Sequence, residues 1–388
     1  MLSREELAAW LRLATTPGIS RGIARQLLAA LGSAERVLAA DERTLQALVG
    51  PDLIPTLKRR DARDEARLTT TLRWLESAQS EAPRDIVVLG DPRYPDLLLE
   101  TADPPLLLFT LGRVELLSAP AVAIVGSRSA TPQGMDNARS FARFLSEHKL
   151  TVVSGLAMGI DGSAHEGGLA GPGSTVAFVG TGLDRVYPAR HAALCRRIAE
   201  QGLVASEYPL GAVAHPINFP RRNRLIAGIT RGTLVVEAAL ESGSLITARM
   251  ALECGREVFA IPGSIHSPQS RGCHQLIQEG AKLVETGADV LQELRLAGGV
   301  GASRATLSPM QPSLFALPAA PASGDDGDAG GPDAALRTAL GYDPVTFDAL
   351  AARTGMPSDQ LAARLLELEL TGVVQRLPGG LLQRRATA

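Results

Sequence analysis

The sequence predicts an α/β protein: a doubly wound, mostly parallel sheet, with a helical module before it and a small helical domain ending in a hairpin after it. Three observations carry this. Between about residues 118 and 296, short apolar runs alternate with amphipathic helical stretches. Those runs are near-continuous in apolar residues, as strands covered on both faces must be. Helical periodicity fills the segments on either side. A chain of 388 residues has room for two or three domains, and the boundaries fall at 1–80, 81–296, 297–332 and 333–388.

Residues 1–80 place apolar side chains at helical spacing in LAAWLRL, IARQLLAAL and DERTLQALV. Pro17-Gly18-Ile19-Ser20 separates the first two, followed by Ala24 and Leu27-Leu28. That is the pattern of a helix-hairpin-helix (SAM-like) module, whose turn can offer backbone N–H groups to a phosphate. A plain turn in a small helical bundle fits equally well, since no lysine-rich hairpin surrounds it. Residues 84–117 read as a lead-in, with the Pro-rich turns DPRYPDLL and DPPLLLFTLG around short apolar runs. Then come VAIVG (122–126), TVVSG (151–155), STVAFVG (174–180), GLVASE (202–207), TLVVEA (233–238), EVFAIPG (257–263) and AKLVE (281–285), each a strand of the parallel sheet. Residues 297–332 are Gly, Ala, Pro, Ser and Asp, the composition of a flexible linker. In 333–388, FDALAARTGM and SDQLAARLLELELTG read as two helices, and VVQRLPGGLLQR as a hairpin around Pro378-Gly379-Gly380. Helix-turn-helix plus hairpin is a winged helix. Its six arginines and six carboxylates cancel, so it reads as a protein-contact module rather than a primary DNA reader.

Composition narrows the function. The net charge is −2, so any nucleic-acid site must concentrate its positive charge locally. Aromatics make up 4%, so base stacking would rest on very few side chains. The cysteines, Cys195, Cys254 and Cys273, form no C-x-x-C pair and read as small buried hydrophobes. MLSREELAAWLRL has no signal-peptide core, and no stretch approaches the ~18 apolar residues of a membrane helix. A cytoplasmic protein is expected.

Four segments can carry chemistry. Ligands of open α/β sheets bind beyond the carboxyl ends of the strands, and Gly126-Ser127-Arg128 lies at such an end. A sharp turn, helix-opening N–H groups and a planar guanidinium suit a phosphate; a strand-to-helix turn with a solvated arginine is the plainer reading. Ser154-Gly155 ends the next strand. In the same segment Asp161 and His165 share a helix face, but no third metal ligand stands near, so they read as a capping carboxylate and a packed imidazole. FPRRNRLIAGIT brings Arg221, Arg222 and Arg224 around Asn223, with Phe219 available to stack a base. Ser242-Gly243-Ser244 precedes a helix and is a further anion cradle. No G-x-x-x-x-G-K-[ST] occurs, Gly180-Thr181-Gly182 is followed by Arg185 where a dinucleotide site needs glycine, and no G-x-S-x-G is present. No cofactor and no catalytic residue are expected.

In order, VAIVGSR, VVSGLAMGIDGSAH, GTGLDRVYP, SEYP, FPRRNRLIAG, VVEAALESGSLITA and VFAIPG resemble the core of the DNA-processing protein A (DprA/Smf) family over roughly 85–290. The resemblance implies a Rossmann-like core that binds single-stranded DNA in a basic pocket, dimerises, and helps load a RecA-type recombinase during natural transformation. It puts the pocket on Gly126, Ser127, Arg128, Gly155 and the Arg222-Asn223-Arg224 run. Where the family often carries an aromatic before Gly134, this chain has Gln133. GCHQLIQEGAKLV (272–284) resembles the family's self-association region, with His274, Ile277 and Leu283 on that surface; a final helix and strand burying the same residues is the competing reading. The enzyme alternative is a nucleoside-monophosphate phosphoribohydrolase using Glu237 with Arg224. It lacks that group's P-G-G-x-G-T, of which Pro262-Gly263-Ser264 is a partial echo.

Overall fold

The structure is a computed structural model and describes residues 2–59, 61–77, 82–297, 334–377 and 379–384. The chain forms two compact units. One holds Met1–Ala130, Gly134–Pro262 and Pro268–Gly287; the other holds Thr131–Gln133, Gly263–Ser267 and Ala288–Ala388.

The first unit opens with six helices: α1 (Arg4–Thr15), α2 (Arg21–Leu31), α3 (Ala34–Ala39), α4 (Glu42–Gln46), α5 (Ile54–Lys58) and α6 (Ala62–Glu76). Local chemistry sets their ends. Ser3 and Glu6 form a reciprocal capping box on α1, Ser20 caps α2, and Gly32 closes α2 in the left-handed region. Their apolar faces do not form a separate core. Leu13, Leu27, Leu45 and Leu57 share one cluster with Ile86, Val88, Leu107 and Phe109 of the sheet.

Those last four residues belong to strands in the segment that read as a lead-in. β1 (Arg84–Val88) and β2 (Leu107–Gly112), joined through the short α7 (Asp96–Leu99), extend the sheet, with β1–β2 and β2–β6 antiparallel. The rest follows the predicted alternation: β3 (Ala121–Val125), α8 (Pro132–Glu147), β4 (Thr151–Ser154), α9 (Ile160–Leu169), β5 (Thr175–Phe178), α10 (Ala192–Gln201), β6 (Leu203–Ser206), α11 (Asn218–Ile229), β7 (Gly232–Val235), α12 (Gly243–Glu253), β8 (Glu257–Ala260), α13 (Arg271–Gln278), β9 (Lys282–Leu283) and α14 (Gly287–Ala297). The strand order is β1-β2-β6-β5-β4-β3-β7-β8-β9, with β3 to β9 parallel. The chain therefore walks from β3 out to β6, then returns to the other side of β3. That reversal is the topological switch at which doubly wound sheets open a crevice. Both faces are covered. Val176 and Phe178 pack with α11, α12 and α13, while Ala177 between them packs with α10. Cys273 is buried in the first of these layers; Cys195 and Cys254 are only half-buried.

In the second unit, α15 (Ala334–Leu340), α16 (Phe347–Thr354), α17 (Ser358–Leu370), β10 (Val374–Arg376) and β11 (Leu382–Arg384) form a winged helix around Leu340, Leu350, Leu361 and Leu365. Among the described residues it contains one helix, α15, more than the two predicted. Glu369 does not stand free on α17: it accepts from Arg376, and its side chain is only 22% exposed. Beyond Ala297, the expected linker lies outside the described residues, as does Pro378 of the hairpin. No described helix is long and apolar enough to cross a membrane.

Candidate nucleic-acid interface

The carboxyl ends of β3 and β4 are locked to each other and to α9 before any ligand is considered. After β3, the Ser127 N–H donates to the Glu237 carbonyl at 2.7 Å, and Ile160 N–H donates to the Ser127 carbonyl at 3.2 Å. Gly159 makes that approach possible: its φ is +72°, and a Cβ there would strike the Ser127 and Arg128 carbonyls. Ser127 is buried, and its hydroxyl accepts from Ser129 N–H, so the side chain shapes the turn.

The loop after β4 is held more tightly still. The Ser154 hydroxyl donates to the Ile124 carbonyl at 2.7 Å, tying β4 to β3. Asp161 is not the cap of α9, which is Gly159; its carboxylate instead takes the N–H groups of Gly155 (3.0 Å) and Ala157 (3.3 Å). Between them, Leu156 sits at φ +58°, a conformation that costs a non-glycine residue about 1–2 kcal/mol. Two imidazoles hold it there. Leu156 N–H donates to His165 Nε2 at 3.2 Å, and His191 Nδ1–H donates to the Leu156 carbonyl at 3.0 Å. Because His165 Nε2 accepts, its proton lies on Nδ1, 2.7 Å from the Thr175 hydroxyl, which in turn donates to the Val152 carbonyl. Burial pushes the His165 pKa down to about 3 and raises that of Asp161 against the pull of Arg222.

Arg222 completes this floor. It comes from α11, and a Cβ at Gly155 would land on its Nη1, so only glycine leaves room for the guanidinium. Arg222 is 3% exposed, and its Nε and Nη1 have no hydrogen-bond partner. Asp161 acts on it through charge but forms no ion pair with it among the described residues. Burial lowers its pKa to about 10, which leaves it cationic at neutral pH. Around it lies a small cleft lined by Arg128, Gly155, Met158, Tyr187, Phe219 and Arg222. The exposed Arg128 guanidinium lies 5.4 Å from the Phe219 ring centroid, and the Tyr187 ring stands 5.4 Å from the same ring at 37°. The result is a charged, recessed base with an aromatic wall.

The cleft thus brings together Arg128, Gly155, Phe219 and Arg222 of the predicted set, with Gly126, Ser127 and Ser154 as its scaffold. Tyr187 was not predicted; GTGLDRVYP pointed to it only as part of a family motif. Arg221 is exposed one residue before Arg222. Asn223 Nδ2 reaches the Gly243 carbonyl at 3.5 Å, and Ser242 caps α12 with its hydroxyl shared between the Ser244 N–H and hydroxyl. Those four residues build the α11–α12 junction.

Arg224 goes elsewhere. Its guanidinium donates to the Glu207 carboxylate and the Asp103 carbonyl, and Arg21 at the start of α2 joins the same two residues, 3.1 Å from Glu207. A phosphate contact was expected at Arg224; in the structure its side chain instead shares two carboxylates with Arg21 in a partly buried cluster. The same pairing removes Arg224 from the Glu237 partnership that the enzyme alternative needs. Arg21 turns the start of α2 toward these acids too, where a hairpin offering N–H groups to DNA was one reading. On the last elements, Leu283 is 43% exposed on the edge strand β9, while Ile277 and His274 are half-buried, Ile277 against the sheet's own core.

Comparison with known proteins agrees with this architecture. A family model described as DNA recombination-mediator protein A matches residues 85–295, and one described as the DprA winged helix domain matches 318–380. The chain is 40% identical over 324 residues to Protein Smf of Escherichia coli, covering 82% of this chain and 81% of that one. It is 51% identical over 203 residues to DNA processing protein DprA of Streptococcus pneumoniae, covering 52% of this chain and 72% of that one. Among solved structures, DprA from Streptococcus pneumoniae is similar with a TM-score of 0.65 at 37% identity, covering 75% of this chain and 98% of that one. DNA processing protein A from Helicobacter pylori, solved for its single-stranded DNA binding mode, is similar with a TM-score of 0.51 at 28% identity, covering 56% and 98%.

Proposed function

The chain belongs to the DNA recombination-mediator protein A (DprA/Smf) family, and we propose that it is a non-catalytic, cytoplasmic single-stranded DNA-binding protein that prepares strands for a RecA-type recombinase during natural transformation. The observation that carries the binding reading is Arg222: a buried, cationic guanidinium with two unpartnered nitrogens, lining a cleft, with Asp161 acting on it through charge but making no hydrogen bond to it among the described residues. A phosphate entering there receives charge-assisted hydrogen bonds without the cost of stripping the arginine from another partner. Arg128 adds a second cation at the rim, and Phe219 with Tyr187 offers the π-face on which an unpaired base can lie. Paired bases keep their faces stacked inside a duplex, so this arrangement selects single strands. Arg221, Asn223 and Ser242-Gly243-Ser244 flank the entrance.

A homodimer through α13 and β9, with Leu283 at its surface, would place two such clefts on one long strand and raise avidity through effective concentration. Recombinase loading follows from family membership. The winged helix, whose charges cancel, serves protein contacts. The test is a salt-series titration on single- and double-stranded oligonucleotides of one sequence. Tight single-strand binding that weakens steeply with salt is expected; duplex binding of equal strength sinks the reading.

A further inference from the structure

The wall of the cleft continues past Tyr187. Residues 184–201 pass through a 3-10 turn at Ala189–His191 into α10. They carry four arginines, Arg185, Arg190, Arg196 and Arg197, against two carboxylates, Asp184 and Glu200, in a chain of net charge −2. All four arginines are exposed. Some exposed arginines elsewhere on this unit are paired, Arg113 with Glu115, Arg139 with Asp136 and Glu166, Arg143 with Glu147, while others such as Arg36, Arg43, Arg231 and Arg249 stand singly among the described residues. Here Arg185 approaches Asp184 only at 3.7 Å, and Arg190, Arg196 and Arg197 form no hydrogen bond or ion pair among the described residues. Glu200, at i+4 from Arg196 and i+3 from Arg197, is the one acid of the segment at helical spacing to these arginines, and it makes no ion pair with either among the described residues.

The segment is also continuous with the cleft. Its Tyr187 ring lies against Phe219, and its His191 is fastened to the carbonyl of Leu156, the residue after Gly155. From there Arg190 lies in the 3-10 turn and Arg197 seven residues on in α10, both on the exposed face, away from the buried Leu194, Ile198 and Ala199. We propose that this face, Arg190 and Arg197 with Arg185 and Arg196 beside them, is a second phosphate-binding track that receives the strand as it leaves the Arg222 cleft. The proposal rests on the cleft being a single-strand site. It makes the length dependence of binding a property of α10: a short strand fills the cleft alone, and a longer one adds the track.

Anisotropy titrations over a salt series, with oligothymidylates of about six and about twenty nucleotides, separate the two sites. The variant Arg190→Gln/Arg197→Gln is expected to bind the short strand within about twofold of the parent and the long strand about tenfold more weakly. Its long-strand salt slope should flatten by about 1.4, at about 0.7 per lost contact on a single strand. Unchanged long-strand affinity and slope overturn the track, as does an equal loss on both lengths. So does an equal flattening by Arg113→Gln, which removes one charge that Glu115 already neutralises. If Arg222→Gln leaves short-strand binding intact, it is the cleft reading that fails instead, and the two failures stay distinguishable. The Arg190, Arg197 and Arg113 side chains are exposed, so unchanged melting curves are expected for those variants.

Discussion

Arg222 and Arg224 lie two residues apart on α11, on opposite sides of the helix. On one side, a buried guanidinium faces a cleft with nothing on its Nε and Nη1, over a glycine that makes space for it. On the other, the guanidinium is held by Glu207 and Asp103, with Arg21 of α2 as a second cation on the same acids. The same residue type on the same helix is in one place an unpartnered cation beside a cleft, the proposed phosphate site, and in the other a tie between the helical module and the sheet. Positive charge in a sequence stays available to a ligand only where the fold leaves its hydrogen-bonding groups unpaired.

Breaking each side should give opposite phenotypes. The largest effect belongs to Arg224→Ala. It leaves Glu207, whose side chain is 6% exposed, with Arg21 as its remaining cation, and loss of one partner of a buried pair costs about 3 kcal/mol. The denaturation midpoint should fall sharply, while single-strand affinity of the still-folded protein stays near the parent's. A protein that keeps its midpoint and loses binding would reverse the assignment. Next comes Arg222→Gln, expected to lower single-strand affinity by about 2 kcal/mol, roughly thirtyfold, through loss of a charge-assisted contact, with melting unchanged or raised because a buried unpaired cation disappears. Phe219→Ala should cost about 1–2 kcal/mol of single-strand affinity and nothing on duplex, by loss of a stacking surface; an equal loss on both would mean the ring only supports α11.

A pH dependence of the cleft's floor is negligible at neutral pH and grows only in acid. His165 has its pKa depressed to about 3 by burial, against about 6.5 unfolded. Between these values the unfolded chain binds the proton and the folded chain does not, so stability is full above about pH 6.5 and declines as pH falls toward 3. His165→Gln should flatten that decline in denaturation midpoints measured from pH 7 to 4. An unaltered slope would mean other groups set it.

Much of the fold was legible because the strands β3 to β8 are continuous apolar runs ending in glycine or a polar residue, and burial on both faces leaves that mark in one dimension. β1 and β2 were not, because Pro-rich turns surround them and antiparallel strands at the edge of a sheet leave a weaker pattern. The loops at Gly126-Ser127-Arg128 and Ser154-Gly155 could be placed from strand ends alone. What the arginine run hid was which of its members would be neutralised. Glu207, Asp103 and Arg21 stand 17, 121 and 203 residues or so from Arg224 in sequence terms or through shared partners, and only packing brings them together. Tyr187 escaped for the same reason: its role depends on the Phe219 ring across the cleft.

The division of labour on α11 is tested most directly by the salt slope of single-strand binding, measured side by side for the parent, Arg222→Gln and Arg224→Gln. Arg222→Gln should flatten the slope by about 0.7, one phosphate contact on a single strand, and Arg224→Gln should leave it at the parent's value. Equal flattening by Arg224→Gln, or an unchanged slope in Arg222→Gln, would contradict the account.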